Sequence, residues 1–297
     1  MKGPTILEIL RPTQWYKNLV LFVPLIFSLN LFDGNLWIPL LIGFVTLCLA
    51  SGAVYVINDV VDYKKDLLHP KKAKRAIPSG RISRRQAIVY AIILILVSES
   101  IANFLGLNFL IINSIFIFST ILYSVKIKNI FLVEAFIIAV NYVLRAVAGA
   151  FAIDVQVSPW LIIAVFFLSL LLTFGKRKSE ILFLPDDKNI EHRPVLKSYT
   201  PDLINYAITS TSSAIILAYA IYSVNGPPGI DDWRLVLTIP VGFFILTRYV
   251  YRTLRGEYSG GELDNLLTSD KQLIGSILVY VSFAILLLYF APSSFFR

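Results

Sequence analysis

Nine stretches of this 297-residue chain are apolar enough, over about 17–22 residues each, to cross a bilayer core as helices. They fall at roughly residues 16–32, 37–57, 87–104, 108–125, 130–150, 158–175, 204–223, 234–251 and 272–290. Charged residues make up 15% of the chain, well below the roughly 25% of soluble domains. The pattern predicts an all-α polytopic membrane protein, one transmembrane domain over residues 1–297 with nine helices. The first run follows Arg11 and Lys17 without a small-residue cleavage site, so it reads as a retained helix, interrupted at Pro24. A single cysteine, Cys48, excludes an intramolecular disulfide and a cysteine-rich metal site.

Basic residues gather in alternate connections. The segment 58–86 holds Lys64, Lys65, Lys71, Lys72, Lys74, Arg75, Arg81, Arg84 and Arg85, and the segment 176–203 holds Lys176, Arg177, Lys178, Lys188, Arg193 and Lys197. Short turns carry Lys126 and Lys128, then Arg252, Arg255 and Lys271, whereas the intervening loops are nearly free of Lys and Arg. The positive-inside rule places the N-terminus and the four basic connections in the cytoplasm. The formal charge of +8 fits basic loops against anionic membrane lipid, with no nucleic-acid partner.

The two long basic connections also collect acids, which topology does not require. In Asn58-Asp59-Val-Val-Asp62-Tyr-Lys-Lys-Asp66, Asn58, Asp62 and Asp66 are spaced by four, and Asp59 precedes Asp66 by seven. On a helix all four face one way. Three carboxylates on one face repel unless a cation holds them, and hard oxygen donors suit Mg²⁺ shared with a phosphate-bearing substrate. The candidate metal ligands are therefore Asn58, Asp59, Asp62 and Asp66, and the chemistry is that of an enzyme handling a diphosphate at the membrane surface. Lys71, Lys74 and Arg75 follow closely and are candidate phosphate contacts. His69 reads as structural. Asn141 and Arg145, four apart in the fifth run, share a face. An intramembrane charge turns inward toward a partner or a function, while Asn141 has the further option of bonding a neighbouring helix. The Gly-rich segment around Glu257, Glu262 and Asp264 is a weaker candidate for a loop that closes over the site.

The 58–66 motif, together with Tyr123-Ser-Val-Lys126, resembles the first aspartate-rich motif and the Tyr/Lys signature of the UbiA superfamily of intramembrane prenyltransferases. The resemblance spans essentially the whole chain. It implies nine helices around a central lateral-opening cavity capped by cytoplasmic loops, in the plasma membrane of a prokaryote. Three segments resemble one branch, which transfers 5-phosphoribose onto a polyprenyl phosphate for cell-wall arabinan synthesis. They are Arg11-Pro12-Thr-Gln14-Trp15-Tyr16-Lys17-Asn18, Asn141-Tyr142-Val-Leu-Arg145-Ala-Val-Ala-Gly149 and Gly175-Lys176-Arg177-Lys178-Ser-Glu180. Ordinary aromatic prenyltransferases carry a second aspartate-rich motif where this chain has Lys176-Arg177-Lys178, and Asp186 and Asp187 follow at a different spacing.

What that branch implies is transfer from 5-phosphoribosyl 1-diphosphate to a polyprenyl phosphate with Mg²⁺ and inversion at the anomeric carbon. Asp59, Asp62, Asp66, Arg145 and Lys176 are the catalytic candidates. Lys17, Asn18, Tyr123, Lys126, Asn141, Arg145, Lys176, Arg177 and Glu180 join Asn58 and the 71–75 cations as the substrate-binding pool. A phosphate nucleophile is already anionic and needs no strong base, which agrees with His192 lying in a polar loop. The competing readings are transfer of a prenyl group from a prenyl diphosphate to an aromatic or other small acceptor, and a membrane transporter or lipid-binding protein. Homo-oligomers fit the branch, but no stretch demands one.

Overall fold

The computed structural model describes residues 6–68, 72–183, 194–225, 233–256 and 270–291, all helical or in connecting turns. Among them eight helices are long and apolar enough to cross a membrane, not nine. The missing one is the first. Residues Pro12–Phe22 form a 3₁₀ helix, followed by the five-residue α-helix Val23–Phe27. A 3₁₀ helix rises about 2.0 Å per residue with poorer hydrogen-bond geometry, and here it begins at Pro12 and ends against Pro24. The helix boundary at residue 176 is also corrected. The sixth apolar run continues as helix from Pro159 to Phe183, through the stretch expected to be loop. Lys, Arg and Glu are good helix formers, and Arg177 and Glu180 pair one turn apart within it.

The chain divides into two compact units. The first holds residues up to Leu25 and Phe32–Val157. Its helices are α1 (Ile6–Leu10), α3 (Gly34–Val61), α4 (Tyr63–Leu67), α5 (Arg84–Phe104), α6 (Leu107–Val125) and α7 (Val133–Ala152); Val23–Phe27 is α2. The unit is organised around α3, which packs against α5, α6, α7, α1 and the 3₁₀ segment. Small residues make this possible, because helices within a membrane associate by close packing. Gly43 sits against Phe109 and Gly52 against Leu10. A β-carbon at Gly149 of α7 would lie 1.9 Å from the Leu21 carbonyl oxygen, so the 3₁₀ segment docks where only glycine fits. α5 starts with a reciprocal cap: Gln86 N–H donates to Ser83 Oγ at 3.2 Å and Ser83 N–H to Gln86 Oε1 at 3.0 Å.

The second unit holds Ile26–Leu31 and the chain from Ser158 onward. Its helices are α8 (Pro159–Phe183), α9 (Pro201–Asn225), α10 (Ile239–Leu254) and α11 (Lys271–Tyr289). α8 packs on α9, and α10 packs on both α9 and α11. Buried Arg234 donates to the carbonyls of Leu287 and Ala291, satisfying the end of α11.

Candidate functional site

The acid cluster forms where α3 runs out. Asp62 closes α3 at φ −86°, ψ 4°, and the short α4 follows at once. Helical phase survives the junction, since Asp62 N–H donates to the Asn58 carbonyl at 2.9 Å and Asp66 N–H to the Asp62 carbonyl at 2.8 Å. The spacing of four therefore keeps its meaning across the break.

The four side chains resolve into two pairs, each bridged by a cation. Asp59 and Asp66 are only 6% and 3% exposed. Arg75 Nη1 donates to Asp59 Oδ1 and Asp66 Oδ2, both at 3.0 Å. Arg11 also pairs with Asp59, and Lys72 Nζ lies 3.7 Å from Asp66 Oδ1. Lys128 Nζ donates to Asp62 Oδ1 at 2.5 Å and lies 3.5 Å from Asn58 Oδ1. Buried carboxylates require this pairing, the more so at a helix C-terminus, where the backbone dipole adds negative potential.

Among the described residues no three His, Cys, Asp or Glu side chains form a protein-only metal cage. The donor set still fits Mg²⁺, which is usually held by one or two carboxylates plus waters and substrate phosphates rather than by a dedicated cage. Asn58 with Asp62, and Asp59 with Asp66, each offer such hard-oxygen donors, flanked by the cations that phosphate needs.

Deeper in the first unit lies a polar network. Arg145 of α7 is 7% exposed, donates through Nε to Asn18 Oδ1 at 2.8 Å and through Nη1 to the Asn141 carbonyl at 3.1 Å. Asn141 Oδ1 accepts from Ser119 at 2.5 Å and from Thr120 at 3.3 Å. Asn18 Nδ2 donates to Cys48 Sγ at 3.3 Å. Lys17 lies over the Tyr16 ring, Tyr123 is half-buried, and Lys74 and Lys126 are exposed. In the second unit Arg177 is 1% exposed and donates to Glu180 at 2.5 Å, Lys178 donates to Asn205 at 2.5 Å, and Lys176 precedes them in α8. Lys71, His69, Asp186, Asp187, His192, Glu257, Glu262 and Asp264 lie outside the described residues.

Sequence reasoning did not single out Arg11, Lys72 and Lys128 as members of the site. Lys128 had a signal, two residues past Lys126 in the same turn; Arg11 had one in the Arg11–Asn18 segment.

The sequence profile of the UbiA prenyltransferase family matches residues 20–261. The chain belongs to that family. Similarity to one relative extends over nearly the full length: the decaprenyl-phosphate phosphoribosyltransferase of Corynebacterium glutamicum is 30% identical over 96% of this chain and 87% of its own. The digeranylgeranylglyceryl phosphate synthase of Methanothermobacter thermautotrophicus is 39% identical over 34% of each chain. The family fold is seen in the structure of a UbiA homolog from Archaeoglobus fulgidus bound to GPP and Mg²⁺. That structure matches with a TM-score of 0.71 at 18% identity over 96% of this chain and 99% of the other.

Proposed function

We propose that this UbiA-family enzyme transfers 5-phosphoribose from 5-phosphoribosyl 1-diphosphate to a polyprenyl phosphate, using Mg²⁺. The observation that carries the reading is the division of Asn58, Asp59, Asp62 and Asp66 into two hard-oxygen pairs ringed by Arg11, Arg75, Lys72 and Lys128. That arrangement suits a metal–diphosphate better than a metal alone. Chain-long likeness to a phosphoribosyltransferase supports the sugar donor. So does Lys176-Arg177-Lys178 standing where a second acidic cluster serves ordinary prenyl transfer.

When bound, Mg²⁺ supplies neutralisation of charge on the leaving diphosphate. Asp59, Asp62, Asp66 and Asn58 orient that group, and Arg75 and Lys128 offer hydrogen bonds to its oxygens. Lys71, Lys74 and Lys72 are placed by sequence beside them for the sugar 5-phosphate. The nucleophile is a phosphate anion, so the residues need only position the two substrates and exclude water. Inversion at the anomeric carbon follows from direct displacement.

The test is diphosphate release by purified protein given Mg²⁺, polyprenyl phosphate and phosphoribosyl diphosphate, with each substrate omitted in turn. Release requiring both, with a charged lipid-linked sugar phosphate as product, is expected. A second reading is prenyl transfer to a glycerophosphate or aromatic acceptor, favoured by the local match to a digeranylgeranylglyceryl phosphate synthase. Turnover with a prenyl diphosphate and such an acceptor, and none with the sugar donor, would establish it instead.

A further inference from the structure

The acid cluster lies at one end of a polar stripe, and near the other end sits a buried charge that no carboxylate among the described residues answers. Cys48, Ser51, Tyr55, Asp59 and Asp62 recur every three or four residues along α3 and share one face. From Asp59 to Ser51 that face runs just over two turns, about 12 Å along the axis. Beside Ser51 is Arg145: Asn18 Oδ1 accepts from Ser51 Oγ at 3.4 Å and from Arg145 Nε at 2.8 Å. The Phe116 and Tyr142 rings flank the guanidinium, with centroids 4.6 and 4.9 Å away. Each of these partners is neutral. Among the described residues Arg145 forms no ion pair, and its hydrogen bonds use only Nε and Nη1, leaving the Nη2 edge for a ligand. A guanidinium does not shed its proton. Desolvated without a counter-charge it is held at a cost that a bound anion offsets.

We propose that Arg145 seats the phosphate of the acceptor lipid, and that donor and acceptor occupy opposite ends of the α3 stripe. This rests on the phosphoribosyl-transfer reading. In-line displacement puts the entering oxygen on the face of the anomeric carbon opposite the leaving diphosphate. With that diphosphate at Asp59 and Asp62, the entering phosphate belongs further along the stripe, toward Arg145. Tyr55 lies between, under Arg11 at 5.2 Å. A polyprenyl phosphate is already held in the bilayer by its isoprenoid tail, whereas a free sugar phosphate has no apolar part to hold it at that depth. A non-bridging oxygen of the acceptor phosphate forms a bond to the anomeric carbon. The bond from that carbon to the diphosphate breaks, and the diphosphate leaves with the electron pair. No proton has to move. Other cations of the binding pool suit the role less: Arg177 is paired with Glu180, and Lys126 is exposed.

The experiment compares binding of farnesyl phosphate and neutral farnesol to the full-length protein in nanodiscs. Binding of phosphoribosyl diphosphate with Mg²⁺ is measured separately. Wild type should prefer the phosphate. Arg145→Gln should reduce that preference by about tenfold or more, the loss of a charge-assisted hydrogen bond. Asn18→Asp keeps an acceptor for Nε and adds a carboxylate beside the guanidinium. It should melt no lower than wild type and also lose the phosphate preference, which keeps the test open if Arg145→Gln does not fold. In folded variants donor binding should be unchanged. A folded Asn18→Asp protein that still prefers the phosphate overturns the proposal, and so does loss of donor binding in place of acceptor binding. If wild type shows the Arg145-dependent preference but never binds phosphoribosyl diphosphate, the seat stands and the phosphoribosyl reading fails.

Discussion

Asp59 is the residue on which most of the site converges, since it is buried and bonded to both Arg11 and Arg75. Asp59→Asn keeps the size of the side chain and removes the charge proposed above to orient the leaving group. Turnover should fall by about two to three orders of magnitude, the usual consequence of losing one preorganised electrostatic contact worth roughly 3–4 kcal/mol. The protein should still insert in the membrane and co-purify at normal yield. Unchanged turnover at limiting Mg²⁺ would remove Asp59 from the mechanism. Asp270 makes a separate prediction, about stability. It is 1% exposed and caps α11 by accepting from the Gln272 and Leu273 N–H groups, while Arg248 and Arg252 grip its carboxylate. Desolvation alone would raise its pKa, but the bonds from Arg248, Arg252 and Leu273 together hold it well below the usual carboxylate range. A depressed folded pKa contributes stability that is present above the unfolded value of about 3.9 and lost as pH falls through the folded value. Asp270→Asn should therefore lower the melting temperature at pH 7, with a cost of about 3 kcal/mol for breaking a largely buried pair. The gap to wild type should narrow as the medium is acidified below about pH 4. A gap independent of pH would mean that packing, not charge, sets the effect.

At the scale of elements, the register of the acid cluster was legible because it obeys local rules. The spacing of Asn58, Asp62 and Asp66 is helical, and backbone bonds carry that register across the α3–α4 junction. The cations that meet these acids were not legible, because Arg11 and Lys128 reach Asp59 and Asp62 from far along the chain and no periodicity links them. The first apolar run misled for a different reason. Hydropathy measures length and apolarity, and is blind to the 3₁₀ geometry of Pro12–Phe22. The cause of that geometry's docking is visible in α7: the Leu21 carbonyl occupies the place of a Gly149 side chain. Gly149→Ala should force the segment away from α7 and cost about 2–3 kcal/mol, because backbone cannot yield as a side chain does. The same displacement moves Asn18 from Arg145, so phosphate binding should weaken along with the thermal midpoint. A normal midpoint would show that the segment docks more loosely than this contact implies.

For the whole molecule, the question is which way the site faces. α5 and α6 form a hairpin closed at Leu105 and Gly106, which returns the chain to the end of α3, where Lys128 meets Asp62. The described connecting residues 62–68, 72–83 and 126–132 thus share one end of the first unit, and residues 153–157 after α7 belong to the opposite end. The first of these ends carries Lys64, Lys65, Lys72, Lys74, Arg75, Lys126 and Lys128, whereas residues 153–157 contain no Lys or Arg. Charge bias of this kind orients short loops toward the cytoplasm, and a sugar diphosphate, with no apolar part, can be delivered only from water. Both arguments predict that the acid cluster faces the cytoplasm. In a Cys48→Ser background, Lys74→Cys should react with a membrane-impermeant maleimide only in inside-out vesicles, and Gln156→Cys only in right-side-out ones; both positions are exposed. The reverse pattern would put the diphosphate site on the outer surface, cut off from cytosolic sugar phosphates, and the proposed donor would have to be abandoned even with every contact in the site intact.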